Sequence, residues 1–254
     1  MKQQLFEIES INHPSQFIRG NVYLPQGSGR FPTLVLLHGF TGSRTESSFL
    51  FVQLARQLNE QGIACVTFDF RHSGESDGSF DQMLVTGELD DALRVTQWAA
   101  GQPFVNRSRM GLLGFSLGGL LAACTVARTP AYKAMVLLAP STERNLARIA
   151  KSRVTDQGQL IVGPYQLHPD FLDDMLTLDC VSDITANPRP TLLVQGDKDT
   201  AVPPPVSQQF VDAMTCKGQS VEHIIIPDGE HTFSTPAHRQ ALIGHISDFL
   251  AREL

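Results

Sequence analysis

The sequence predicts an α/β domain built on a doubly wound, mostly parallel sheet, and three observations carry that expectation. Short continuous apolar runs alternate with amphipathic helical patterns along the chain. The runs are apolar at nearly every position rather than at every second one, as in strands covered on both faces. The 254 residues, 42% hydrophobic and 18% charged, suffice for one large core without disulfide or metal support.

Two alternating segments, 5–11 and 17–24, flank Asn12-His13-Pro14 and read as an antiparallel pair at a sheet edge. The first central run, 33–37, ends in His38-Gly39. Others follow at 63–68, 110–115, 134–138, 191–194 and 222–226. Helical patterns separate them at 51–58, 89–98, 117–127, 206–214 and 239–250. The second is expected to start beside Glu88, with Asp90 and Asp91 complementing its positive end. The alternation breaks once, between Pro140 and Pro188, where no core strand is evident. Long structureless loops are rare in compact domains unless functional. The stretch of about 141–187 therefore reads as a cap over the sheet's carboxyl edge, inserted into a single domain of 1–254.

The residues with chemistry cluster where strands end. Gly114-Phe115-Ser116-Leu117-Gly118-Gly119 follows an apolar strand and opens a helix of small residues. A serine on so tight a turn is held in strained geometry with its hydroxyl above the sheet. Side chains at 114 and 118 would collide with the neighbouring strand or helix. The alternative is a serine in an ordinary strand-to-helix turn. A serine hydroxyl needs a base, and eight histidines compete: His13, His38, His72, His168, His223, His231, His238 and His245. His231 stands out because Pro227-Asp228-Gly229-Glu230 puts it on a loop at a strand's carboxyl end. His238 and His245 fall on the solvated face of the last helix.

The acid that orients the histidine comes from Gly196-Asp197-Lys198-Asp199. Asp199 lies further out, towards His231, whereas Asp197 is suited to turn hydrogen bonds. Ser116, Asp199 and His231 are thus the expected nucleophile, acid and base. The backbone N–H groups of Phe40, in His38-Gly39-Phe40-Thr41-Gly42, and of Leu117 are expected to converge on an oxyanion. His38 reads as a structural histidine tying down that loop rather than as a second base.

Bulk properties set the boundaries. A net charge of −6 argues against nucleic acid, whose binding rests on basic side chains. Cys65, Cys124, Cys180 and Cys216 are far apart and contain no C-x-x-C pair, so neither a metal site nor a disulfide framework is expected. The start of the chain has no signal-peptide pattern, and no apolar stretch approaches the roughly 18 residues of a membrane span. A cytoplasmic protein with no membrane partner is expected, and a homodimer is compatible with the sequence. No cofactor motif is present.

The chain resembles the α/β-hydrolase superfamily over its whole length, and within it the small bacterial cinnamoyl/feruloyl esterases. The carrying residues are the elbow at 114–119 and Phe68-Asp69-Phe70-Arg71-His72-Ser73-Gly74-Glu75-Ser76-Asp77-Gly78-Ser79-Phe80. Met83-Leu84-Val85 and Glu88-Leu89-Asp90-Asp91-Ala92 continue the likeness. The resemblance implies an α/β-hydrolase fold with a small cap and the triad already read from the residues. Phe115 stands where that family commonly has histidine, and Ser73 where it more usually has glycine. Hydroxycinnamate specificity is therefore not implied. A dehalogenase would need aspartate in place of Ser116.

The reading that follows is a serine carboxylesterase acting on a small-molecule ester. Peptidase, thioesterase or acyltransferase chemistry on the same triad is the alternative, and a non-catalytic binding protein of this fold is a further one. In the cap, Arg144, Arg148 and Lys151 share one face of a helical pattern and Leu146, Ile149 and Ala150 the other. With the basic face solvated, the usual arrangement, Leu146 and Ile149 are expected to line a pocket for small to medium apolar or aromatic acyl groups. With the basic face turned inward, substrates with a carboxylate or strongly polar acid part would be favoured instead.

Overall fold

The computed structural model describes residues 1–155 and 157–254. The chain runs β1 (Lys2–Glu9), β2 (Phe17–Leu24), β3 (Phe31–Leu37), α1 (Leu50–Glu60), β4 (Ala64–Phe68), α2 (Val85–Gly101), β5 (Val105–Phe115), α3 (Leu117–Arg128) and β6 (Ala134–Leu138). It continues through α4 (Glu143–Lys151), a short hairpin β7 (Ile161–Val162) and β8 (Tyr165–Gln166), α5 (Phe171–Met175) and α6 (Cys180–Asp183). It closes with β9 (Thr191–Gly196), α7 (Pro204–Cys216), β10 (Val221–Ile226) and α8 (Pro236–Glu253).

The eight-stranded sheet has the order β1-β2-β4-β3-β5-β6-β9-β10. β1 and β2 pair antiparallel, β2 pairs antiparallel with β4, and every later pairing is parallel. The apolar runs follow from this layering. In β3, Val35 and Leu37 join a core layer with Val95 of α2 and Leu120 of α3. Leu34 and Leu36 face the other way, into a layer with Leu54 of α1 and Leu242 of α8. A strand buried on both faces has no polar positions to alternate.

The order also locates a crevice. After β3 the chain crosses to β4 on one side, then returns past β3 to β5 on the other. The loops leaving β3 and β5 diverge to opposite faces there, and such switch points open a cleft at the strands' carboxyl ends.

One boundary differs from expectation. α2 begins at Val85, so Asp90 and Asp91 lie beyond its first turn and do not complement its N-terminus. They make tertiary contacts instead. Asp90 accepts from Asn12 Nδ2 (2.6 Å), and Asp91 accepts from the Arg71 backbone N–H (2.8 Å) and Nε (2.7 Å). The helix start is tied to the cap, because Asp174 accepts from the Thr86 N–H (3.1 Å) and hydroxyl.

The segment between β6 and β9 holds α4, the hairpin, α5 and α6. Thr142 caps α4 by accepting from the Asn145 N–H at 3.2 Å. Arg144, Arg148 and Lys151 are exposed, and Leu146, Ala147 and Ala150 are buried. Among the described residues no helix is long and apolar enough to cross a membrane.

Candidate active site

Ser116 sits between β5 and α3 with φ 55° and ψ −114°, outside the regions a side chain prefers. The surroundings enforce this. A Cβ on Gly114 would come within 2.1 Å of the Gly118 carbonyl oxygen, and one on Gly118 within 2.1 Å of the Leu37 carbonyl oxygen. Helix α3 therefore packs against β3 and β5 at backbone distance, as the sequence reading requires. The turn is pinned by Ser116 N–H donating to Leu138 O (2.9 Å) and Ser141 N–H donating to Ser116 O (3.0 Å).

His231 lies on the loop after β10, with Nε2 3.1 Å from Ser116 Oγ and Nδ1 2.7 Å from Asp199 Oδ2. A carboxylate only accepts, so Nδ1 carries the proton and Nε2 is free to accept from the serine. Asp199 is buried, and Gln195 Nε2 (3.0 Å), Ala201 N (2.9 Å) and Val202 N (2.8 Å) also donate to it. The turn hydrogen bonds expected of Asp197 are thus made by Asp199, and Asp197 is exposed. An aspartate that faces inward can serve the turn and the histidine with different oxygens.

The loop carrying His231 is set by Glu230, which accepts from the Thr232 N–H and hydroxyl (both 2.8 Å) and from the Ser234 N–H (2.5 Å). Burial opposes its charge, but hydrogen bonds from Thr232 and Ser234 outweigh it and hold the carboxyl at about 2. Phe115 lies against the imidazole with ring centroids 5.0 Å apart.

The third part is the loop after β3. His38 is buried, its Nε2 accepts from the Phe70 N–H (3.2 Å), and its Nδ1 lies 2.9 Å from Gly39 O. A backbone N–H can only donate, so the proton is on Nδ1 and is given to Gly39 O. Burial pushes the imidazole pKa down, which keeps it neutral. This is the tethering geometry expected of His38, and both ring nitrogens are occupied. The Phe40 and Leu117 N–H groups have no protein acceptor among the described residues.

A cleft of about 550 Å³ lies over Ser116 and His231, walled by Phe40, Glu46, Phe115, Tyr165 and Thr232 among others. Leu146 and Ile149 are not in its wall, which corrects the expectation that they line it. Leu146 is buried in the core layer, because the apolar face of α4 packs inward against the body and α5. The cap reaches the cleft through Tyr165 on the hairpin instead. Tyr165 packs on Phe80 (centroids 4.5 Å), Phe80 on Phe40 (5.7 Å), and Phe40 on Phe171 of α5 (5.7 Å).

Sequence reasoning missed Tyr165, Glu46 and Gln195. Nothing in the pattern around Tyr165 marks a two-residue strand, and Glu46 stands in a loop without periodicity. Gln195 carried a usable signal, a polar residue ending an apolar strand just before the acid turn. The segment 69–78 braces the loop after β3. Asp69, buried, accepts from the Arg44 N–H (2.6 Å) and guanidinium and from the Glu75 N–H (3.0 Å). Gly74, at φ +55°, is needed there because a Cβ would lie 2.3 Å from that carboxyl carbon.

The parallel sheet, the strained elbow and the loops converging at the switch point define an α/β hydrolase. The chain belongs to the prolyl oligopeptidase family, whose profile matches residues 50–254. It is 38% identical over 96 residues to an uncharacterised 31.7 kDa protein of Escherichia coli, covering 38% of this chain and 32% of that protein. It is 25% identical over 243 residues to dipeptidyl aminopeptidase BIII of Pseudoxanthomonas mexicana, covering 87% and 33%. The chain thus matches about a third of the length of each of these two relatives. Among solved structures, ferulic-acid-bound Est1E of Butyrivibrio proteoclasticus superposes with a TM-score of 0.85 at 23% identity, covering 98% of both chains.

Proposed function

We propose that this hydrolase cleaves carboxylic esters through an acyl-enzyme on Ser116, with His231 as general base and Asp199 as its orienting acid. The observation that carries this reading is the continuous chain from Ser116 Oγ through His231 to buried Asp199, at 3.1 and 2.7 Å, on a strained elbow. In the first half-reaction Ser116 Oγ attacks the acyl carbon and its proton passes to His231 Nε2. The carbonyl oxygen becomes an oxyanion facing the N–H groups of Phe40 and Leu117. The C–O bond to the alcohol then breaks as His231 returns the proton to the departing oxygen. Water repeats the sequence on the acyl-enzyme and frees the acid.

The aromatic wall of Phe40, Phe115 and Tyr165 favours small to medium apolar or aromatic acyl groups. The ferulic acid held by Est1E is in keeping with that class. The family match and the aminopeptidase relative favour a second reading, amide cleavage on the same three residues. A panel of acyl esters and aminoacyl anilides, with Ser116→Ala as control, separates them. Ester turnover lost in Ser116→Ala supports the first reading. Efficient anilide cleavage with negligible ester turnover would replace it by the second.

A further inference from the structure

We propose that Glu46 is a positioning residue of the oxyanion loop: its carboxylate clamps the turn that presents the Phe40 N–H to the substrate carbonyl. The inference rests on the Ser116 reading and adds a residue to it.

The turn 39–42 is wrapped around this carboxylate. Glu46 Oε1 accepts from the Gly39 N–H at 2.6 Å, and Oε2 accepts from the Ser47 N–H at 2.9 Å. Gly42 lies so close that a Cβ there would sit 2.7 Å from Oε1. On the far side of the same glycine, Gly39 O accepts from the Gly42 N–H (2.9 Å) and from His38 Nδ1–H (2.9 Å). The peptide joining Gly39 to Phe40 is planar, so fixing its carbonyl fixes the direction of the Phe40 N–H. Glu46 holds the preceding peptide, and the two clamps together lock both soft dihedrals of Gly39. A glycine is the residue with most freedom to lose there. Releasing one clamp lets the Phe40 N–H swing away from where the oxyanion forms.

The backbone carries the mark of this arrangement. Glu46 has φ 55° and ψ 172°, a region occupied almost only by glycine. Thr41, Ser48 and Phe49 also have positive φ, at 59°, 50° and 60°. A glycine at 46 would adopt this backbone freely. A glutamate is held in it by the two hydrogen bonds of its carboxylate, beside a cleft it helps to wall. Strain of this kind gathers where geometry serves a site.

The test compares wild type, Ser116→Ala, Glu46→Ala, Glu46→Gly and Glu46→Gln in p-nitrophenyl acetate kinetics and thermal melts. Glu46→Ala and Glu46→Gly should lower kcat about tenfold to a hundredfold, part of the loss caused by deleting an oxyanion donor, with KM within about threefold. Glu46→Gly should keep its Tm within about 3 °C of wild type, because relief of backbone strain offsets the lost hydrogen bonds. Glu46→Gln, whose amide oxygen still accepts from the Gly39 N–H, should turn over at least about threefold faster than Glu46→Ala. A kcat for Glu46→Ala within about twofold of wild type would overturn the inference while the Ser116 reading stands. Equal losses in all three variants that track their Tm values would do the same. A wild type that turns over neither esters nor anilides, or an active Ser116→Ala, would remove the Ser116 reading and this inference with it.

Discussion

The carboxyl edge of the sheet and the cap above it are built on different principles. At the edge, Ser116, His231 and Asp199 come from three loops, each pinned at its root by backbone hydrogen bonds or buried side chains. Asp199 alone receives three donors besides His231. The cap is a run of short elements, one helix of nine residues, a hairpin of two-residue strands and two helices of about one turn. It rests on the body through apolar packing of Leu167, Phe171 and Met175 and through Asp174 reaching Thr86. It offers the cleft a single aromatic side chain, Tyr165. The difference teaches a division of labour. On the proposed function, the reacting atoms, which need fixed geometry, are carried by the sheet, while shape selection is left to elements that can vary without disturbing the chemistry.

The hardest test of that division is Ser116→Ala. It should lower ester turnover by about three to six powers of ten, leaving what the oxyanion donors and binding supply. A fluorophosphonate probe should label wild type once and the variant not at all. Normal hydrolysis of p-nitrophenyl acetate by the variant would break the comparison at its strong side.

Asp199→Asn should come next, with a loss of up to about 10⁴ in kcat, since an amide in place of the carboxylate stabilises the wrong imidazole tautomer. Asp197→Asn, at an exposed side chain, should leave kcat within about twofold and stability within about 0.5 kcal/mol. Steady-state kinetics on the pair read this directly, and reversed effects would move the acid to Asp197.

On the cap side the effects should be smaller and selective. Tyr165→Ala should raise KM for aromatic acyl esters about tenfold, with acetate esters little changed, since one ring wall is lost. Arg148→Ala, on the solvated face of α4, should alter neither. A reordering of substrate preference by Arg148→Ala would mean that the cap's basic face enters the cleft.

The smallest effect concerns the seam between cap and body. Glu88 is buried in α2, and burial, then the charges of Asp91 and Asp174, raise its pKa well above the usual carboxyl range. A raised folded pKa contributes stability that is complete below the unfolded value and lost as pH rises through the folded one. Glu88→Gln removes that loss. Its Tm should match wild type near pH 4.5 and exceed it by roughly 2–4 °C at pH 8, for each kcal/mol the charge costs. Kinetic parameters should not change. A Tm difference independent of pH would show that Glu88 is not the titrating group.

Much of the edge was legible in the chain, and the reasons are local. Gly114 and Gly118 announce the elbow because only glycine fits where helix meets strand at backbone distance. His231 could be singled out because a turn follows an apolar strand. Apolar runs located the central strands, since strands covered on both faces carry no alternation. The cap was legible as an interruption but not in its contents. Leu146 and Ile149 looked like pocket residues from helical spacing, yet spacing says which side chains share a face and not what that face meets.

What the sequence determined by itself, then, is everything set by neighbours within a few residues: strand and helix type, the elbow, and the loops that bear Ser116, Asp199 and His231. Tertiary structure decided the contacts between residues far apart in the chain. It brought the Asp199 carboxylate within 2.7 Å of His231, turned Asp91 from a helix end to Arg71, and buried Leu146 while admitting Tyr165 to the cleft. Local preferences act through one residue's own backbone and can be read in place. Long-range contacts depend on which surfaces the whole fold brings together, and no short window of sequence contains that information.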